Sequence, residues 1–157
     1  MRGSSSWGGA LQIIGAIVGA TGSGDASGIY AISNLAIGGA FVLMALWLGA
    51  STLARVAYVV AAVGWLLLAI ISLIHVPILG TLAFFIAAIG SIFAGIVVYS
   101  AKVFSERANV TFLVAMILGA VELLATQVGI PGILETILVI LFGAALIGAG
   151  LLSLRRR

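Results

Sequence analysis

Long apolar runs separated by short polar, glycine-bearing or proline-bearing breaks make up nearly the whole chain. A helix needs about 20 mostly apolar residues to cross roughly 30 Å of hydrocarbon. The breaks divide the chain into six runs near that size, over about 7–21, 29–49, 56–74, 78–100, 110–128 and 133–154. They are the stretch Gly22 to Gly28, Ser51-Thr52 with Arg55, His75-Val76-Pro77, the segment holding Lys102, Glu106, Arg107 and Asn109, and Gly129-Ile130-Pro131-Gly132. The pattern predicts an all-α, polytopic integral membrane protein. Its six transmembrane helices pair as three hairpins in one transmembrane domain over residues 1–157.

Composition supports this. Hydrophobic residues make up 64% of the chain and charged residues 7%, with a mean hydropathy of +1.39. A soluble domain carries about 25% charged residues to cover its surface. A soluble enzyme, a disordered tail and a nucleic-acid module are excluded on that ground. The absence of cysteine excludes disulfides, thiolate metal sites and cysteine nucleophiles.

Charge placement tests the count of crossings. With six crossings and the N-terminus inside, Arg2, Arg55, Lys102, Arg107 and the terminal Arg155, Arg156 and Arg157 fall on one side. The loops with Asp25, His75 and Pro131 fall on the other. Basic residues near span ends set orientation toward the cytoplasm. The expectation is therefore a multi-pass protein of a prokaryotic-type plasma membrane with both termini cytoplasmic. The first run also admits a reading as a cleavable signal peptide, with Arg2, a short apolar stretch and small residues at Val18-Gly19-Ala20. Its single basic residue and the interrupting Gln12 argue against that.

The runs carry an internal likeness. One offset places Gly15-Ala16 on Gly119-Ala120, Gly28-Ile29 on Gly132-Ile133 and Gly39-Ala40 on Gly143-Ala144. The middle pair fits more loosely, through Gly64 and Pro77-Ile78. Three parallel hairpin repeats about an axis along the membrane normal would give this pattern, and parallel repeats occur in some transporters. Chance alignment among 21 glycines is the competing explanation. With Gly64 to Pro77-Ile78, Gly119 to Pro131-Gly132-Ile133 and the following Gly143, the chain resembles the HdeD-type membrane proteins. Its first turn, with Gly28 and no proline, departs from that pattern. The resemblance implies a six-span protein linked to acid stress, with no catalytic residues to carry over.

In lipid, close packing of small residues and occasional hydrogen bonds hold helices together. Gly15 and Gly19, then Ala87, Ser91 and Gly95, then Ala144 and Gly148 stand at spacings that put small residues on one helix face. Contacts within the chain or between copies could use them. Trp7, Trp47 and Arg55 lie near span ends, where such side chains anchor at the interface. The Arg155-Arg156-Arg157 run suits anionic lipid headgroups.

Chemistry-bearing residues are few. Glu122 lies roughly 12 Å deep by the helical rise, where a carboxylate costs about 2.5–3.5 kcal/mol and faces a cavity or a partner. It reads as a proton or cation site with Thr126, Gln127, Gln12 and Asn34, or as a structural group bonded to a neighbouring carbonyl. Glu135 reads as a first-turn residue near headgroup level, favoured by the helix dipole. Hairpin geometry sets Thr126 level with Glu135, and the two acids about 6 Å apart in depth. His75 could sense external pH. Lys102 and Glu106 stand at helical i, i+4 spacing. No metal set, cofactor motif, phosphate loop or catalytic triad is present, so no enzyme is expected. The expected function is a structural or accessory subunit packing with itself or a larger membrane complex, because the spans carry few polar groups to line a watery path. The alternatives are a small channel or proton-linked transporter using Glu122, or an acid-resistance-like stress protein. The expected partners are the lipid bilayer and other membrane subunits, with no nucleic acid.

Overall fold

The computed structural model of the chain describes residues 2–22, 24–48, 51–74 and 77–153. Six helices follow in order: α1 Arg2–Thr21, α2 Ser27–Trp47, α3 Thr52–Ile71, α4 Pro77–Ser100, α5 Glu106–Val128 and α6 Gly132–Leu152. Helices α2 to α6 are long and apolar enough to cross a membrane, while the apolar part of α1, Ser6–Thr21, is shorter. His75 and the headgroup candidates Arg155, Arg156 and Arg157 lie outside the described residues.

Capping chemistry sets the helix ends and moves two of the expected starts. Helix α3 begins at Thr52 because the Ser51 hydroxyl accepts the Ala54 N–H at 3.2 Å, satisfying a donor the helix itself leaves open. Arg55 is thereby inside the first turn. Helix α5 begins at Glu106 behind Ser105, whose hydroxyl accepts the Ala108 N–H at 3.4 Å. Asn109 is a buried helix residue and not part of a solvated loop. Its side chain accepts from the Phe104 N–H at 2.9 Å and donates to the Phe104 carbonyl at 3.0 Å, which locks the connection before α5. The expected Lys102–Glu106 helical pair does not form on one helix. The chain turns out of α4 at Lys102, whose φ is 50°, and Glu106 opens the next helix. At the opposite end of the hairpin, Gly129 closes α5 with φ 73° and an N–H bond to Ala125, a conformation glycine adopts without a Cβ penalty.

Each helix packs against the next in sequence, and α1 closes against α6, so the six form a ring. A glycine stands at every seam. At the α3–α4 seam, a Cβ on Gly64 would strike the Ala87 backbone, and one on Gly90 would strike the Ala61 backbone. At the α1–α6 seam, Gly9 and Gly143 each lie on the other's carbonyl, and an added Cβ at Gly143 would sit 2.6 Å from the Gly9 oxygen. Such approach brings backbone atoms of two helices into dispersion contact, which drives association where lipid offers no hydrophobic gain. Gly15 packs on the Tyr30 ring of α2, whereas Gly119 packs on Phe142 of α6, so these two glycines, aligned in sequence, do not meet matching partners. Ala87 and Ser91 are fully buried, and Gly95 lies against Met116 of α5. The other small residues singled out from spacing make no close backbone approach to a neighbouring helix. Gly19 has no neighbour within 4 Å, Ala144 is exposed, and Gly148 makes an ordinary contact with Thr111 of α5. The seam on α6 falls one position earlier, at Gly143. Spacing alone could not choose it, because the helix is apolar on every face.

Gly64→Ala should therefore lower thermal stability of the detergent-purified protein by about 1–3 kcal/mol, the scale of overpacking. Gly39→Ala, whose added methyl meets nothing within 4 Å, should leave the unfolding midpoint unchanged or raise it.

Candidate functional site

In the half of the ring nearest the connections 22–26, 72–76 and 129–131 lies a cavity of about 400 Å³. All six helical segments contribute to it. Gln12 comes from α1, Tyr30 and Asn34 from α2, Trp65 and the capping Ser72 from α3, and Thr81 from α4. Helix α5 supplies Glu122, Thr126 and Gln127, and α6 supplies Glu135. Hydrocarbon offers no hydrogen-bond partners, so polar groups in a membrane helix turn inward. Both intramembrane acids and the buried amides Gln12 and Asn34 thus share one space.

One wall is built of amides. Gln12 Nε2 donates to Asn34 Oδ1 at 3.1 Å, and both side chains are buried. Asn34 Nδ2 reaches Ser72 Oγ at 3.5 Å, and that hydroxyl donates to the Leu68 carbonyl at 2.8 Å. The chain of bonds ties α1, α2 and α3 together. Another wall is acidic. Thr126 Oγ1 lies 3.0 Å from the Glu122 carbonyl oxygen and 3.1 Å from Glu135 Oε1, bridging α5 to α6. A hydroxyl owns one proton and two lone pairs. The one Thr126 proton thus faces two acceptors, one on each helix. The Tyr30 phenol lines the same space as the Glu122 and Glu135 side chains. Among the described residues, no Lys or Arg lines this space.

The floor is aromatic. Trp65 is 1% exposed, donates its Nε1–H to Ser91 Oγ at 2.9 Å and stacks on Phe142 with ring centroids 5.6 Å apart. Deeper in the ring Phe41 meets Phe112 edge-on at 6.3 Å, beside the buried Met44, Met116 and Leu146. What space remains there is an apolar void of about 30 Å³. The polar cavity therefore stops near the middle of the ring. Sideways it meets a second cleft, of about 560 Å³, between the last turns of α1 and the start of α6. Tyr30, Glu135 and Val139 border both spaces. The cleft exists because α1 and α6 touch at Gly9 and Gly143 and are apart by Gly19.

Of the residues singled out in sequence, Glu122, Thr126, Gln127, Gln12 and Asn34 share this cavity. Glu135, in the first turn of α6, does too, half-buried and bonded to Thr126. Tyr30, Trp65, Ser72 and Thr81 escaped notice. Their only signal was position, since Tyr30, Ser72 and Thr81 fall within two turns of the same connections as the acids. No group of three metal-binding side chains comes together among the described residues.

The amide wall gives a test. Asn34→Leu strands the buried Gln12 amide and should cost about 1–3 kcal/mol in detergent unfolding. The double change Gln12→Leu with Asn34→Leu should recover much of that loss, because neither polar group is then left unpaired. No family model matches the chain, and neither a curated protein nor a solved structure is significantly similar to it.

Proposed function

We propose that the chain crosses a prokaryotic-type plasma membrane six times, with both ends cytoplasmic, and that its cavity binds a small cationic solute for proton-linked passage. The observation that carries this is the gathering of Glu122 and Glu135 into one space walled by polar groups from every helix, with no basic side chain among the described lining. A carboxyl is tolerated at that depth when it faces a cavity or a partner, and two carboxyls that line one space can hold, share or release a proton as a cation comes and goes. Scarcity of polar groups along each span favoured an accessory packing role. Their convergence supports the transporter reading instead, since a small number of groups suffices when all of them line one space. The work is binding and passage, not catalysis.

A second reading keeps the accessory role. The closed floor of Trp65 and Phe142 favours it, because a cavity open on one side can sense or hold a solute for a partner subunit without passing it.

Uptake of labelled monovalent amines into proteoliposomes under a proton gradient separates the two. Wild-type protein should accumulate an amine, and Glu122→Gln should abolish accumulation while elution profile and unfolding midpoint stay unchanged. Saturable binding without uptake would favour the accessory reading. Neither binding nor uptake would overturn the solute-site proposal. Tags on the two ends, probed in intact cells, should both be reachable only from the cytoplasmic side.

A further inference from the structure

We propose that the ligand is an amphipathic organic cation, an amine or quaternary ammonium bearing a compact apolar group, and that it reaches the cavity from the lipid through the cleft between α1 and α6. This rests on the reading of the cavity as a solute site and names what fills it. The sign of the ligand follows from the walls. Glu122 and Glu135 supply carboxyls that become anionic as they release protons, and the described lining holds no Lys or Arg to answer an anion. Its apolar part follows from the same walls. Phe84, Leu68, Leu123 and Val139 stand between the polar groups, and Tyr30 and Phe84 present aromatic surface. An ammonium near aromatic rings gains about 0.5–2 kcal/mol, most when desolvated. A volume of about 400 Å³ lies within the usual range for small-molecule sites, about 300–1,000 Å³, and suits a single-ring amine.

The route follows from what is closed and what is open. Aromatic packing blocks passage through the ring below Trp65. The α1–α6 cleft borders the cavity at Tyr30, Glu135 and Val139, and its rim holds Gly19, Ala20 and Ile133, all exposed. Ile17 on α1 and Leu134 on α6 are exposed nearby, so the mouth faces hydrocarbon. A hydrophilic cation is scarce there, whereas an amphipathic one partitions into the membrane. Glu135 at the junction is the first carboxyl such a ligand meets, and Glu122 lies further along the cavity wall.

Equilibrium dialysis and stopped-flow binding on the purified protein in lipid nanodiscs test this with benzyltrimethylammonium, methylammonium and neutral benzyl alcohol. Benzyltrimethylammonium should bind, and each of the other two should bind at least about tenfold more weakly, the fold-change that one charge-assisted or apolar contact of about 1.4 kcal/mol represents. Glu122→Gln and Glu135→Gln should each weaken benzyltrimethylammonium by about tenfold or more. Gly19→Trp fills open space at the rim, and should slow association while leaving equilibrium affinity unchanged. The three-ligand comparison needs only the wild-type chain, so a variant that fails to fold does not decide the matter. Equal affinity for methylammonium and benzyltrimethylammonium would overturn the amphipathic class and leave the solute site standing. Equal affinity for benzyl alcohol would overturn recognition of charge. Unchanged association in Gly19→Trp would overturn the lateral route, and no binding of any of the three would overturn both this proposal and the solute site beneath it.

Discussion

At Gly9 and Gly143 the backbones of the first and last helices touch, and that contact turns a row of three hairpins into a ring. It also aims side chains. Positions three, four and seven residues apart share a helix face, so the face of α1 that holds Gly9 carries Gln12 and Ala16 with it. On α6 the face of Gly143 carries Val139 and Glu135. On α5 the face of Gly119, packed on Phe142, carries Glu122 and Thr126. The glycines that let helices approach therefore also set which polar groups look inward. A side chain at Gly9 or Gly143 would separate α1 from α6 and open the polar cavity to lipid along its whole length.

Enclosure is what makes the polar groups tolerable. A buried amide without a partner costs more than a hydrogen bond returns, and the Gln12–Asn34–Ser72 chain meets that demand within the ring. Thr126 meets it between the acids. Below them Trp65, Phe142, Phe41 and Phe112 fill the centre of the ring with apolar surface, and the buried Ser33, Ser91 and Asn109 are each hydrogen-bonded. The polar cavity thus occupies one half of the ring and ends at the aromatic packing in its centre. A binding site confined to one half of the ring follows from that packing more naturally than a continuous pore does.

The helices were legible in the sequence because each break between apolar runs contains residues that end or start helices on local grounds, such as Gly129 and Pro131. The starts of α3 and α5 were less so. Ser51 and Ser105 act as caps while the charged or polar residues just after them, Arg55 and Asn109, look like loop and are helix. Inside the ring, the level pairing of Thr126 with Glu135 followed from hairpin geometry alone, as did the grouping of Glu122 with its neighbours on α5. Contacts between hairpins did not. Helices apolar on every face carry no periodic signal for which side meets a neighbour, so Gly143 could not be told from Ala144, nor Gly9 from Gly19. The same lack hid Tyr30 and Ser72, whose roles depend on which way α2 and α3 are turned.

Closure of α1 on α6 is the claim on which the cavity, its acids and its side cleft all depend. The chain contains no cysteine, so an introduced pair reports without background. Ala16→Cys and Val139→Cys stand on opposite sides of the α1–α6 cleft, and a short bifunctional thiol reagent applied to the protein in native membranes should join them within one chain. Ala16→Cys paired with Val63→Cys, on the exposed face of α3, should give no such product. Failure of the first pair to cross-link while the second does so would place α1 elsewhere and contradict the ring.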